Sequence, residues 1–262
     1  TVSTLEQARQ AVDKVINYSS REILPSGSIY NGSGNNVIPN MSDWRNVVCF
    51  IADDDDGGEG FVWDSEYLAK LIDTSYREYN VDKIYSDAYN QVSTPGGQRF
   101  PDVNAAINKR IEKGALVVNY IGHGGEVGWA LETIIELSDI NSWNNKYNLP
   151  VFITATCEFC RFDDPDRTSA GELVFLNPNG GGVALFSTTR STYVSLYLNK
   201  RFFVNTFEPY NNDFPALGDI FRLSKQGDNS QNTKKYILVG DPAQRIAYPE
   251  YNIVTTEING PP

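Results

Sequence analysis

Histidine and cysteine are scarce in this chain, which has one histidine and three cysteines in 262 residues. Three cysteines cannot all pair with one another, so at least one of them is a free thiol. A zinc site with four ligands drawn only from Cys and His would need all four of these side chains at once. Long apolar runs are also lacking, since no segment approaches the roughly 18 residues of a membrane helix. We therefore expect no transmembrane segment in this chain.

Basic side chains are in the minority, with 22 Lys and Arg against 33 Asp and Glu and a net charge of −11. A phosphate backbone would be repelled by such a surface, so we expect no nucleic-acid partner. An acidic surface suits a cationic substrate, but it also serves solubility alone. The hydrophobic content of 40% is sufficient for a packed core.

Short apolar segments alternate with helical patterns along most of the chain. Strands are predicted at residues 47–52, 83–85, 115–120, 151–155, 183–187 and 236–239. Helices are predicted between them, and Asp64 and Asp102 are expected to be the N-caps of two helices. Such alternation is typical of an α/β fold with a mostly parallel central sheet covered by helices on both faces.

The chain divides into three predicted parts. Residues 1–43 form an N-terminal helix and a linker rich in Gly, Ser, Asn and Pro, and residues 44–245 form the α/β domain. Residues 246–262 alternate apolar and polar side chains, which predicts the start of a following β-domain. The ends at Thr1 and Pro262 are expected to be cuts in a longer protein.

His123 and Cys157 each follow a predicted buried strand. They are 34 positions apart, which fits one strand–helix–strand unit. Both side chains would then lie on neighbouring parallel strands at one edge of the sheet, where open α/β sheets keep their sites. Either residue could instead be structural, the histidine as an exposed side chain and the cysteine as a buried one. Together, a histidine and a cysteine can generate a thiolate that attacks a carbonyl carbon.

Glycines surround the histidine at Gly122, Gly124 and Gly125. They allow the backbone to approach a ligand closely, and their amides can face an oxyanion. This pattern favours a catalytic interpretation of His123.

Cys157 and Cys160 form a C-x-x-C motif that admits two other interpretations. Zinc would need two more ligands, and Cys49, one of the two left, falls in a predicted core strand. A thioredoxin-like dithiol is the second alternative. It does not explain the glycine-flanked histidine.

Residues 53–56 are four consecutive aspartates after the first strand of the α/β domain. Such a run is usually a solvated turn, but its oxygens could also bind calcium. One acid of this region, Asp54, Asp64 or Glu66, could orient His123 as a third catalytic member. The sequence does not choose among the three.

Three further residues have two interpretations each. Trp129 can line a pocket or pack in the core, and Glu132 can line the same pocket or lie on a solvated helix face. Arg190 follows a predicted strand and can bind a substrate carboxylate or hold its loop by a salt bridge.

Several motifs together resemble the gingipain family of cysteine peptidases. They are residues 119–125 (Asn-Tyr-Ile-Gly-His-Gly-Gly), 155–159 (Ala-Thr-Cys-Glu-Phe), 162–165 (Phe-Asp-Asp-Pro) and 169–172 (Ser-Ala-Gly-Glu), with support from 44–46, 49–54 and 239–242. The resemblance covers about residues 44–245 and is closest to the signal peptidases and sortases of type IX secretion. It implies a caspase-like, three-layer α/β sandwich.

The resemblance also implies roles for individual residues. His123 would be the general base, Cys157 the nucleophile, and the amides of Gly124 and Cys157 the oxyanion hole. By rough spacing, Asp64 is the nearest match to the acid that supports the histidine. Cys160 departs from the family pattern, which raises the prospect of a regulatory disulfide with Cys157. The chemistry needs no cofactor, and the resemblance makes a structural calcium ion more plausible.

From these residues we predict that the protein is a cysteine endopeptidase or transpeptidase. The resemblance implies that it cleaves C-terminal sorting domains from secreted client proteins and transfers the clients to a surface glycolipid. Other components of the secretion machine would be partners, and the location would be the outer-membrane surface of a Bacteroidetes-type bacterium. Two alternatives stay open: a dithiol oxidoreductase that uses Cys157 and Cys160, and a catalytically inactive module that binds client proteins.

Overall fold

The computed structural model describes residues 2–20, 28–30, 37–39, 43–55 and 57–249. Its α-helices are α1 (Leu5–Ser20), α2 (Phe61–Ser75), α3 (Pro101–Lys113), α4 (Leu137–Ser142), α5 (Ala170–Leu176), α6 (Leu196–Phe207), α7 (Leu217–Lys225) and α8 (Gln231–Lys234). Its strands are β1 (Ser28–Tyr30), β2 (Val37–Pro39), β3 (Val47–Ala52), β4 (Asn80–Tyr85), β5 (Val92–Thr94), β6 (Gly97–Arg99), β7 (Val117–Ile121), β8 (Gly124–Gly125), β9 (Gly128–Trp129), β10 (Ile135–Glu136), β11 (Val151–Ala155), β12 (Ala184–Thr188) and β13 (Tyr236–Val239).

The central sheet has six strands in the order β13-β12-β11-β7-β3-β4. Five of them run parallel, and β13 pairs antiparallel with β12 at one edge. Parallel neighbours need long crossovers, and helices supply them here. The predicted α/β fold with a mostly parallel sheet is confirmed.

Side chains of β3 alternate between two apolar cores. Val48 and Phe50 pack with α2, α6 and α7 on one face, and Cys49 and Ile51 pack with α3, α4 and α5 on the other. Successive side chains of a strand point to opposite faces, so a strand that is apolar throughout must be covered on both sides. The result is the expected three-layer sandwich, with Cys49 a buried core thiol.

The two helix caps predicted from the sequence are wrong. The N-cap of α2 is Gly60 in the left-handed conformation (φ 80°), and Asp64 lies one turn inside the helix. The first turn is instead capped by Asp55, whose Oδ1 accepts a hydrogen bond from the Phe61 amide at 2.7 Å. Asp102 likewise lies in the first turn of α3, behind an N-terminal proline. Acids inside a first turn still complement the helix dipole.

Both ends of the described chain pack onto the sandwich. Lys14 of α1 is buried and donates hydrogen bonds to the carbonyls of Phe175 and Gly180 at 2.6 and 2.8 Å. The amide of Ala247 donates to the Tyr18 hydroxyl at 3.0 Å. Of the strand pattern predicted for residues 246–262, residues 246–249 form no strand and the rest lies outside the described residues. The proposed boundaries at 43 and 245 stay predictions. In the described part of the chain, no helix combines the length and apolarity that a membrane span needs.

Candidate active site

The candidate site lies where β7 and β11 end. These strands are parallel neighbours in register, with Ile121 beside Ala155. His123 and Cys157 each follow by two positions, so both leave the sheet at the same edge. Beyond the strands, the Gly122 amide still donates to the Ala155 carbonyl at 3.4 Å. The two loops that carry the predicted base and nucleophile therefore start side by side.

Close backbone packing holds these two loops together. A Cβ atom at Gly124 would lie 2.5 Å from Oγ1 of Thr156, the residue before Cys157, and 2.9 Å from the Gly128 carbonyl oxygen. A Cβ atom at Gly122 would lie 2.4 Å from the Cβ atom of Asp53. Contacts this short leave room for glycine only. The glycines on either side of His123 thus serve the packing of the loop, whatever their amides contribute to chemistry.

The backbone of His123 is fixed on both sides. Its amide donates to Oδ2 of Asp53 at 2.9 Å, and its carbonyl accepts from the Tyr120 hydroxyl at 2.6 Å and from the Ala130 amide at 2.9 Å. The imidazole meets the Phe61 ring edge-on, with the centroids 5.2 Å apart. Its side chain is 47% exposed, so a substrate can reach a ring whose backbone is held firmly.

The carboxylate beside the imidazole belongs to Glu59. Its Oε1 lies 3.8 Å from Nε2 of His123, and its Oε2 accepts from the Gly57 amide at 2.9 Å. Sequence reasoning missed Glu59 as a partner of the histidine. The available signal was its place in the loop that follows β3, the strand next to β7.

The surroundings of the three acids named from the sequence differ from one another. Asp54 is buried, and Glu66 binds Lys83 Nζ at 2.7 Å, which holds the pKa of Glu66 below its usual range. Burial and the nearby Asp55 raise the pKa of Asp64. Within the described ranges, no ion pair joins Asp64 to the histidine. A catalytic role for Asp64 stays a prediction.

The Cys157 thiol is partly exposed and faces the loop after β12. The Thr192 amide donates to Sγ at 3.3 Å, and Ser191 Oγ lies 3.7 Å away. An N–H group at this distance can stabilise negative charge on sulfur. The next residue, Glu158, has a φ of 51°, a left-handed backbone that non-glycine residues rarely adopt. Such strain is common at functional sites.

All three cysteines are free thiols. Cys160 is buried against Gly171, where an added Cβ atom would lie 2.1 Å from Sγ. Burial raises the pKa of Cys160 to about 12. A thiol in this environment is a poor partner for exchange chemistry, which weighs against the dithiol interpretation and against a regulatory disulfide with Cys157.

Part of the acidic run gathers into a cluster below the histidine loop. Oxygen atoms of Asp53, Asp54 and Glu132 lie within 4.8 Å of one another. Burial raises the pKa of Asp53 to about 8, and the charges of Asp54 and Glu132 add to this effect. The donor set fits calcium, but the ion takes six to eight oxygens, so carbonyls or water would have to supply the rest. Asp55 caps α2 instead, and Asp56 lies outside the described residues. Calcium stays a prediction.

Two ambiguous residues now have clear surroundings. Trp129 is fully buried and stacks on Tyr120 with the ring centroids 4.4 Å apart. Arg190 forms a salt bridge with Asp163, at 3.0 Å between Nη1 and Oδ1. The first contact is core packing, and the second holds a loop.

A histidine and a cysteine that leave neighbouring parallel strands of a three-layer sandwich are the arrangement of a caspase-like cysteine peptidase. The sequence matches Peptidase family C25 over residues 1–247. The chain therefore belongs to family C25, the gingipain family of cysteine peptidases, as the motifs predicted.

Solved structures show the same fold. The crystal structure of the Arg-specific cysteine proteinase gingipain R (RgpB) has a TM-score of 0.69 and 17% identity, with 94% of this chain and 54% of that chain covered. The complex of the Porphyromonas gingivalis RgpB pro- and mature domains gives 0.69 and 17%, with 94% and 55% covered. A third structure, described as a protease, gives 0.66 and 17%, with 99% and 58% covered. The chain thus spans little more than half the length of these proteins. No curated protein matches it.

Proposed function

We propose that this protein is a cysteine endopeptidase that can also act as a transpeptidase, with Cys157 as nucleophile and His123 as general base. The observation that carries the proposal is the register of β7 and β11, which starts both loops at the same point of the sheet edge. Membership of a family of cysteine peptidases supports it.

In the proposed reaction, His123 removes the thiol proton and Sγ of Cys157 forms a bond to the scissile carbonyl carbon. The negative charge that develops on the carbonyl oxygen is held by the amides of Gly124 and Cys157, each contributing about 3 kcal/mol. The imidazolium then donates its proton to the leaving amine as the peptide bond breaks. Water or a second amine attacks the resulting thioester, which gives hydrolysis or transfer.

Glu59 would act as the positioning residue of His123. With Nε2 turned toward Glu59, Nδ1 remains for the thiol. Gly57 offers a direct test, because a Cβ atom there would lie 2.0 Å from Oε1 of Glu59. The Gly57→Ala substitution should displace the carboxylate and shift the pH profile of kcat/KM. Glu59→Gln should do the same, and unchanged profiles in both variants would contradict this role.

The natural substrates are proposed to be secreted client proteins with C-terminal sorting domains. The motifs around His123 and Cys157 resemble those of signal peptidases and sortases of the PorU type, which supports this assignment. We propose the bacterial cell surface as the location and other secretion components as partners. Mass spectrometry of a client incubated with the protein would locate the new C-terminus and reveal any attached amine.

Activity assays test the catalytic pair. Cys157→Ala and His123→Ala should each abolish cleavage of a fluorogenic peptide library, while Cys49→Ala, a change at a core thiol, should alter stability only. Turnover at the wild-type rate in the Cys157→Ala variant would contradict the proposed mechanism.

Labelling separates the remaining alternatives. An acyloxymethyl-ketone probe should modify Cys157, and the modification should depend on pH and on His123. An inactive binding module would not react in this way. A dithiol oxidoreductase would lose its activity on Cys160→Ser, whereas a peptidase would keep cleaving.

A further inference from the structure

An open cleft of about 720 Å³ borders His123, and Cys157 is not among its lining residues. The lining includes His123, Gly124, Val127 and Leu131. None of its lining residues comes from the Ser191–Thr192 segment that contacts the thiol. The cleft therefore borders the imidazole and is separate from the segment after β12 that contacts the thiol.

The wall of the cleft is preformed. Strands β8, β9 and β10 make a small antiparallel sheet, and a Cβ atom at Gly128 would lie 1.9 Å from the Ile135 carbonyl oxygen. Ala130 and Thr133 hold left-handed backbone angles, with φ of 61° and 58°. Backbone strain of this kind persists only where the surroundings fix it, and it clusters at ligand-binding segments. The cleft is thus ready to receive a side chain without rearrangement.

The chemistry of the lining favours an apolar occupant. Val127 and Leu131 line the cleft and are 51% and 77% exposed, so their side chains offer apolar surface to a ligand. Arg99 and Glu136 line the same cleft with opposite charges, so the two together favour neither a cationic nor an anionic substrate residue. An aliphatic side chain would cover the exposed valine and leucine and gain the free energy of their burial.

The proposed reaction decides which part of a substrate enters. The imidazole must give its proton to the nitrogen of the leaving amine, so the leaving residue has to lie on the imidazole side of the thiol. The acyl part of the substrate stays bonded to Cys157. The cleft beside His123 is thus placed for the first residue of the leaving peptide, or for the side chain of an attacking amine in the reverse direction.

We propose that this cleft is a binding site for an aliphatic side chain on the leaving-group side of the scissile bond, with Val127 and Leu131 as specificity-determining residues. The assignment to one side of the bond rests on the proposed peptidase function. The existence of an apolar site beside the imidazole does not.

Binding can be measured without turnover, because His123 is the one histidine of the chain and its imidazole NMR signals are unambiguous. Leucinamide, an amine with an aliphatic side chain, should shift these signals saturably in the Cys157→Ala protein, and glycinamide should shift them far less. Leu131→Asp and Val127→Asp should each weaken leucinamide binding roughly tenfold, the range expected for an apolar pocket contact. Leu5→Asp, at an equally exposed leucine of α1, is the matched control and should change nothing.

Cleavage of a peptide library supplies the second measurement. New N-termini should be enriched in Leu, Ile and Val, and Leu131→Asp should shift the enrichment toward Lys and Arg. The inference is overturned if glycinamide and leucinamide behave alike, if the aspartate variants bind leucinamide normally, or if the preference lies on the acyl side. Failure of all cleavage with normal leucinamide binding would instead reject the proposed function and keep the apolar site.

Discussion

The loop after β7 and the loop after β11 meet at the candidate site but are held in different ways. We call residues 122–134 the histidine loop and residues 156–169 the cysteine loop. In the histidine loop, Gly122, Gly124 and Gly128 each sit where a Cβ atom would overlap a neighbour at 2.5 Å or less. Its position is set by backbone packing.

Charged side chains contribute to holding the cysteine loop. Arg161 donates to Glu126 at 2.6 Å, Arg190 binds Asp163, and the loop ends at Ser169, whose amide and hydroxyl donate to Glu172 at 3.0 and 2.9 Å. Glu126 is only 11% exposed, so its pairing is shielded from solvent. Added side-chain volume disrupts packing contacts, whereas loss of a charge disrupts ion pairs. Different substitutions should therefore destabilise the two loops.

The largest effect is expected from Gly124→Ala. The new methyl group would overlap Thr156 Oγ1 and the Gly128 carbonyl, so the loops must separate at a cost of about 1–3 kcal/mol. A 1 Å displacement of the base also costs roughly 100-fold in rate. Thermal unfolding and kcat/KM measure the two losses. Gly96→Ala is the control, because its Cβ atom would meet Arg99 Nη2 at an ordinary 3.6 Å. Normal activity in Gly124→Ala would contradict the packing account.

The second effect concerns pH and Asp53, which accepts the His123 amide. Its pKa is raised from 3.8 to about 8 in the folded state, so the folded protein binds the extra proton between these values. Stability should therefore fall as pH rises through this window, by at most about 1.4 kcal/mol per pH unit for one proton. Asp53→Asn should flatten the dependence, measured by urea unfolding from pH 5 to 9.

If calcium binds the cluster of Asp53, Asp54 and Glu132, the expected loss of stability with rising pH should reverse. The ion would neutralise the carboxylates, so added calcium should raise the melting temperature at pH 8 and chelation should lower it. Glu132→Gln is the matched variant, since it removes one carboxylate of the cluster and keeps its shape. An equal melting temperature with and without calcium would reject the predicted site.

A smaller effect is expected from Glu126→Gln, which should loosen the cysteine loop. Loss of the charged hydrogen bond to Arg161 should cost about 1–2 kcal/mol and make stability less sensitive to salt, because salt screens the ion pair only where it is present. Asp219→Asn, in an exposed pair with Arg222, is the control. Equal stability of the two variants in chemical unfolding would show that the partly buried Glu126–Arg161 pair does not hold the loop.

The smallest effect should come from Arg190→Lys. Its pair with Asp163 is exposed on both sides, and solvent screens such a pair so that it adds little to stability. The melting temperature should change by little more than its error. A large loss would mean that Arg190 does more than hold its loop, and the substrate-carboxylate interpretation would then return.

Much of the fold and part of the candidate site could be predicted from the sequence. The runs at β3, β7, β11 and β12 are mostly apolar because both faces of these strands are covered, and such runs are visible in any window of a few residues. The spacing from His123 to Cys157 then follows from one strand–helix–strand unit. The caps at Asp64 and Asp102 failed because Gly60 and Pro101 start these helices earlier than the apolar periodicity indicates.

The roles of the acids could not be predicted. Glu59 reaches the imidazole because the turn at Gly57 folds back, Asp55 caps α2, and Glu132 joins Asp53 from a different loop. Each of these contacts depends on a loop conformation that no periodic pattern encodes.

The sequence by itself determined the parallel sheet, the sheet edge at which the imidazole and the thiol emerge, and the glycines of the histidine loop. These features follow from the hydrophobic periodicity and the spacing of the strands, which are local properties of the chain. Only the tertiary structure decided which carboxylate faces the imidazole, why Cys160 is enclosed, and that an apolar cleft opens beside His123. Those outcomes depend on contacts between side chains of separate helices, strands and loops. Close packing determines the positions of these side chains only when all the elements are in place.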